Sequence, residues 1–203
     1  MQKIISKFMF TKSKLQIIKE NYGKYSSWAI WDFQDETRTD LIERDWKMLH
    51  SKFVLIGLNI SKEINEWENF HGGNHARKIK YAFNSIEHIK GAYMTDLIKV
   101  PEVDSKKLRE KIKSGEVNLE SEVESFREEL KLVKVNSKSK FILFGDCARE
   151  LYDNHFEKYF LDNKVFYLKH YSGRGADKTW VENVWKRLDI NDLKYKSERK
   201  KYR

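Results

Sequence analysis

Four short apolar runs in this chain of 203 residues carry chemically useful side chains at or near their carboxyl ends. Asn59 lies in Gly57-Leu58-Asn59-Ile60-Ser61, Asp96 in Thr95-Asp96-Leu97-Ile98, and Asp146 and Cys147 follow Gly145. His170 opens His170-Tyr171-Ser172-Gly173-Arg174-Gly175. An amide, a carboxyl group and an imidazole are side chains that can do chemistry: the amide donates and accepts hydrogen bonds, and the other two can also carry or release a proton. Taken singly, the same residues have plainer roles: Asn59 and Asp146 as turn and cap residues, His170 as an ordinary loop histidine. Their occurrence at every run is what favours the chemical reading.

The runs themselves cover residues 53–58, 92–98, 141–144 and 165–168, and they are near-continuously apolar, as strands covered on both faces are. Ile79, Ala82, Phe83, Ile86 and Ile89 recur at helical spacing between them, as do Leu119, Val123, Phe126, Leu130 and Val133. Val181, Val184, Trp185 and Leu188 form a third set, and Thr179-Trp180-Val181-Glu182 has the capping-box spacing that would start this last helix. Strand and helix alternate, which predicts an α/β fold: a three-layer sandwich with a central four-stranded parallel sheet flanked by helices. Ligands of such a sheet sit beyond the carboxyl ends of its strands, so Asn59, Asp96 and His170 would converge on one edge. Residues 1–50 read as a mostly helical extension packed on the core through Leu41, Ile42, Trp46 and Leu49, with residues 28–33 left without an element. The α/β domain then spans 51–190, and 191–203 form a basic tail.

Composition narrows the function classes. The formal charge is +9, and six Trp, ten Tyr and twelve Phe supply enough apolar bulk for a true core. Basic residues crowd the two ends, while Glu116, Glu120, Glu122, Glu124, Glu128 and Glu129 concentrate acidity on one predicted helix. Basic ends with an acidic back suggest a nucleic acid approached from one side; the plainer alternative is a soluble surface with a frayed lysine-rich tail. No run approaches the roughly 18 to 20 apolar residues of a membrane span, and no leader pattern is visible, so a cytoplasmic protein with no membrane partner is expected. Cys147 is the single cysteine and cannot by itself hold zinc or an iron–sulfur centre. There is no Gly-x-x-x-x-Gly-Lys-Ser/Thr loop, no Gly-x-Gly-x-x-Gly and no Gly-x-Ser-x-Gly elbow. His71 and His75 have the spacing of a helical metal pair, but Gly72-Gly73 between them argues against a helix there, so no metal and no cofactor are expected.

Gly-Leu-Asn-x-Ser after the first run, Ala-Tyr-Met-Thr-Asp-Leu-Ile-Lys on the second, Phe-Ile-Leu-Phe-Gly-x-x-Ala on the third and His-x-Ser after the fourth together resemble the uracil-DNA glycosylase superfamily, across about residues 52–188. The resemblance implies a monomeric, monofunctional DNA glycosylase that flips a pyrimidine into a pocket at the strand ends, hydrolyses its N-glycosidic bond and leaves an abasic site. It would make Asn59 the residue that positions the attacking water, and His170 the donor to the base O2 as negative charge develops. Phe70, in Glu68-Asn69-Phe70-His71, is the candidate ring for stacking on the flipped base, with a core phenylalanine as the alternative. Gly57 would permit close backbone approach. Ser61, Ser172, Arg174 and Lys178 are the candidate DNA contacts.

The chain departs from the superfamily pattern informatively. Asn59 replaces the Asp of the most active branches, which implies slower chemistry, and the cluster-binding cysteines of the thermostable branch are absent. His170-Tyr171-Ser172 replaces His-Pro-Ser, freeing a position where Pro would fix φ. Asp96 stands where an Asn reads the uracil edge in other members. A carboxylate accepts twice and would face uracil O4 with like polarity, whereas it can accept from cytosine N4 and, when protonated, donate to N3. A cytosine or modified cytosine is thus the expected base, and defence against invading phage DNA the expected setting. The alternative leaves Asp96 paired with Lys99 and the base read by backbone groups. Two other functions stay open: a catalytically silent DNA-binding module of this fold, and a hydrolase of free nucleosides or nucleotides.

Overall fold

The computed structural model describes residues 10–84, 86–173 and 176–188. The elements run α1 Lys12–Tyr22, β1 Ser27–Trp28, α2 Asp40–Arg44, a 3-10 turn Trp46–Met48, β2 His50–Asn59, α3 Gly73–Phe83, β3 Ala92–Ile98, α4 Ser105–Ser114, α5 Leu119–Leu132, β4 Lys140–Phe144, α6 Asp146–Leu151, β5 Lys164–Leu168 and α7 Asp177–Arg187. A π turn at Tyr152–Phe156 and a 3-10 turn at Glu157–Tyr159 carry the chain from α6 toward β5.

The sheet order is β1-β3-β2-β4-β5. Four strands are parallel, with Leu55 opposite Met94 on one side and Ile142 on the other, and Ile142 opposite Phe166. Side chains alternate faces along each strand, so every buried strand must be covered twice. Val54 and Ile56 meet Leu15, Ile18, Phe126, Leu130 and Phe141 on one face. Leu55 and Met94 meet Ile79, Phe83, Ile142, Val184 and Trp185 on the other. The result is a three-layer α/β sandwich.

The sheet has five strands, not four. The fifth is β1, antiparallel to β3, with Ser27 opposite Met94 and Trp28 opposite Tyr93. A two-residue strand is too short for any alternation to reveal it, and what holds it is packing: fully buried Trp28 sits edge-on to Phe10 at 4.9 Å and to Tyr93 at 4.7 Å. Residues that read as part of a helical extension therefore complete the sheet's edge and its core. Two further expectations are corrected. Helix α3 ends at Phe83, so Ile86 and Ile89 reach the core from turns. Helix α7 starts at Asp177 without a side-chain cap, two residues ahead of Thr179, because Asp177 in the first turn meets the helix dipole and pairs with Lys78 at 3.1 Å.

Strand β2 lies between β3 and β4, so the chain leaves it toward one side and returns to the other. Loops diverge at such a switch point and open a crevice beyond the strands' carboxyl ends. Among the described residues no helix is long and apolar enough to cross a membrane. The basic tail, the first nine residues and Arg174 lie outside the described residues.

Candidate active site at the carboxyl ends of the strands

A cleft of about 790 Å³ opens at that switch point, and Asn59, Ser61, Phe70, Asp96, His170 and Ser172 all line it. They come from four separate segments: the end of β2, the loop before α3, β3, and the loop after β5. Lys178 is exposed on the first turn of α7 and does not line the cleft.

Asp96 is almost wholly buried, and its position depends on Gly57 in the neighbouring strand. A Cβ at residue 57 would stand 2.1 Å from Asp96 Oδ1 and 3.3 Å from Phe70 Cζ, so only glycine leaves room for the carboxyl group. Asn69 Nδ2 donates to Asp96 Oδ2 and to the Tyr25 carbonyl, both at 2.7 Å. That pairing uses the amide's two N–H groups and sets which end of Asn69 is the acceptor. Burial raises the Asp96 carboxyl to about 6, opposed by the Asn69 hydrogen bond and the Lys99 charge and assisted by Glu129. Lys99 does not pair with the Asp96 carboxyl group: its Nζ makes an ion pair with buried Glu129 at 2.6 Å and donates to the Asp96 carbonyl at 2.7 Å. Tyr93 and Thr95 hydroxyls both donate to Glu129 Oε1 at 2.7 Å, so the motif's lysine and threonine lock β3 to α5 and leave the carboxyl group to the cleft. Gly57→Ala is expected to push Asp96 out of place and to destabilise the fold by about 1–3 kcal/mol, as overpacked cores do. Urea unfolding of Gly57→Ala and of Gly57→Ala/Asp96→Ala checks this: the second change should recover most of the loss, because it removes the atom in the way.

Asn59 is oriented by its loop. Its Nδ2 faces three carbonyls, those of Ile60 at 2.8 Å, Val100 at 3.1 Å and Glu102 at 2.7 Å, an arrangement that Oδ1 could not share. The donor end thus holds the loop after β3, and Oδ1 is the end able to accept from a water. Phe70 has φ of 63°, in the left-handed region that costs a bulky residue about 1–3 kcal/mol. Its ring joins Phe144 and Tyr171 in an aromatic wall, with centroids 6.3 Å and 6.2 Å away. Phe70 belongs both to the core cluster and to the cleft lining.

His170 packs face to face on Tyr171, with centroids 4.2 Å apart. The Ser172 backbone N–H donates to His170 Nδ1 at 3.2 Å, and Ser172 Oγ lies 2.6 Å from the same atom. A backbone N–H can only donate, so Nδ1 is the acceptor and the ring proton resides on Nε2, which makes Nε2 the donor. Gly145, at φ of 91°, lets β4 turn into α6 directly beneath this ring: a Cβ there would be 3.1 Å from His170 Cβ. Lys78, buried on α3, donates to the Tyr171 carbonyl at 3.0 Å and the Gly173 carbonyl at 3.4 Å, clamping the loop from below.

Sequence reasoning gave Asn69 and Lys78 no role and noted Tyr171 only where it stands in place of Pro. Asn69 lies in an aperiodic loop, Tyr171 beside a histidine that draws the eye, and a helical lysine ordinarily reads as solvated. Burial, then the Asp96 charge, pushes the Tyr171 hydroxyl above the usual phenol range, so it stays a neutral donor in the cleft wall. His71 lies outside α3, so it shares no helical face with His75, and burial lowers it to about 4 and keeps it neutral. Among the described residues no three His, Cys, Asp or Glu side chains gather as a metal ion would need. Set against protein-family models, curated proteins and solved structures, the chain matches none of them.

Proposed function

We propose that the protein is a monofunctional DNA glycosylase that excises a pyrimidine base, of cytosine type, with water as the nucleophile. One observation carries this reading: an amide held by its nitrogen, a buried carboxyl group, an aromatic wall and an imidazole whose Nδ1 accepts line a single cleft at the switch point of an open sheet. The flipped base would stack against Phe70 and present its N3/N4 edge to Asp96. A carboxyl group that titrates near 6 can carry the proton that N3 accepts while its other oxygen accepts from N4. As the glycosidic bond breaks, the electron pair stays with the base. His170 Nε2–H donates to the O2 on which that charge develops, and Asn59 Oδ1 holds the water that adds to C1′. With no carboxylate at position 59 to take the water's proton, turnover is slow. The water's proton is lost to solvent as it adds to C1′ and the departing base anion takes one up, so the products are an abasic site and a neutral free base.

A second reading, a DNA-binding module without chemistry, draws on the commitment of Asn59 Nδ2 to three loop carbonyls. Base release from matched oligonucleotides carrying uracil, cytosine, 5-hydroxymethylcytosine or its glucosylated form separates the two, with abasic product read by alkaline cleavage. Release of a cytosine derivative, lost in Asn59→Ala, is the expected result. Release of uracil alone would make Asp96 a bystander, and salt-sensitive binding with no product from any oligonucleotide would favour the binding module.

A further inference from the structure

Helix α4 is the most one-sided charged element among the described residues. Lys106, Lys107, Arg109, Lys111 and Lys113 stand on it against the lone Glu110, and Leu108 is its one buried side chain. Ser105, Lys111 and Ile112 are half-buried beside Leu108, and the other six residues of the helix are exposed. Arg109 is engaged by Glu150, and Lys111 by Glu102 and Glu116. Lys106, Lys107 and Lys113 are exposed and make no ion pair among the described residues. Lys106 and Lys113 lie two turns apart on the same face, roughly 10.5 Å along the axis.

The helix begins at the mouth of the cleft. Glu102 and Val103, which lead into it, and Ser105, its first residue, line the cleft, and Val103 is 82% exposed there. Its placement is rigid: Asn59 Nδ2 holds the carbonyls of Val100 and Glu102, Asp104 caps the first turn, and Lys111 returns to Glu102 at 3.2 Å. The glutamate-rich α5 that follows contributes nothing to the cleft lining, so basic and acidic helices are segregated relative to the site.

We infer that α4 is a phosphate-binding track, on which Lys106, Lys107 and Lys113 hold the backbone of a nucleic-acid strand as it passes the cleft mouth. The inference builds on the reading of the cleft as a nucleic-acid site, and it moves the main electrostatic contact from the basic ends of the chain to helix α4 beside the cleft. Phosphate is the complementary group: three unpaired ammonium groups on one rigid helix match a repeating anion, and each neutralised phosphate releases counterions.

The test is fluorescence anisotropy with a labelled oligonucleotide over a salt series, comparing the full chain with Lys106→Gln/Lys107→Gln/Lys113→Gln. A control, Lys138→Gln/Lys140→Gln/Lys164→Gln, removes the same charge near the amino ends of β4 and β5, where Lys140 and Lys164 stand opposite each other, away from the cleft. The α4 variant is expected to bind at least about 10-fold more weakly at low salt and to lose about 2–3 from the magnitude of the log–log salt slope, at roughly 0.9 per phosphate contact on duplex DNA. Equal losses in the control would reduce the effect to net charge and overturn the inference. So would binding by α4 to anionic phospholipid vesicles in place of the oligonucleotide. Because the readout is binding, failure of the glycosylase reading leaves a separate mark: no abasic product from any oligonucleotide, with α4-dependent binding intact.

Discussion

Asp96→Asn is expected to make the protein more stable at neutral pH while removing the group proposed to read the base. The Asp96 carboxyl is raised from 3.8 to about 6 in the fold, so its charged form is disfavoured there. At pH below 3.8 the group is protonated in folded and unfolded chains alike and changes nothing. As pH rises, the unfolded chain gives up its proton first, and stability falls until the folded carboxyl has also ionised above about 6. A shift of that size corresponds to about 3 kcal/mol, at 1.36 kcal/mol per pKa unit. Asparagine keeps an oxygen that accepts from Asn69 Nδ2 but carries no charge. Urea unfolding should therefore find the variant and the parent close together at about pH 4, and the variant ahead by about 2–3 kcal/mol at about pH 7.5. An equal gap at both pH values would contradict the buried carboxyl. A fold that retains a destabilising group in its cleft points to function, and base release tests which one: the amide can donate to uracil O4 and accept from N3–H, so preference should move toward uracil. An unchanged preference would remove Asp96 from base reading.

His170→Ala should lower base release by about 10²–10³-fold, the loss typical of a single donor aimed at a developing anion. Little change in melting temperature should accompany it. The ring is half-buried on a loop whose carbonyls are held by Lys78, and those bonds do not pass through the imidazole. Ser172→Ala makes a sharper comparison: the backbone N–H that sets Nδ1 as acceptor survives, and only the Oγ contact is lost. Its loss should be markedly smaller than that of His170→Ala, and single-turnover rates on the same oligonucleotide measure both. Full activity in His170→Ala would exclude the imidazole from the chemistry.

The strands that carry the candidate site were readable because their signal is local. Burial on both faces demands continuous apolar runs, and Ala92–Ile98 matches its run residue for residue while β2, β4 and β5 extend theirs by one or a few. Helix α5 follows from its 3.6-residue spacing in the same way. Strand β1 was hidden because two residues have no period, and its place is set by Trp28 packing on Phe10 and Tyr93. The start of α7 was misplaced because the choice between Asp177 and Thr179 depends on Lys78, which lies on another helix.

By itself, then, the amino-acid sequence determined the class of fold and the residue types delivered to the strands' carboxyl ends, since hydrophobic periodicity and strand order act over short stretches of chain. Tertiary structure alone decided how those residues are poised. Asn69 reaches Asp96 across 27 positions and Lys78 reaches Tyr171 across 93, and neither spacing leaves a trace in the local pattern. The raised Asp96 carboxyl, the Nε2 proton of His170 and the commitment of Asn59 Nδ2 to the loop all follow from such contacts, because desolvation and hydrogen-bond direction depend on what surrounds a group in space.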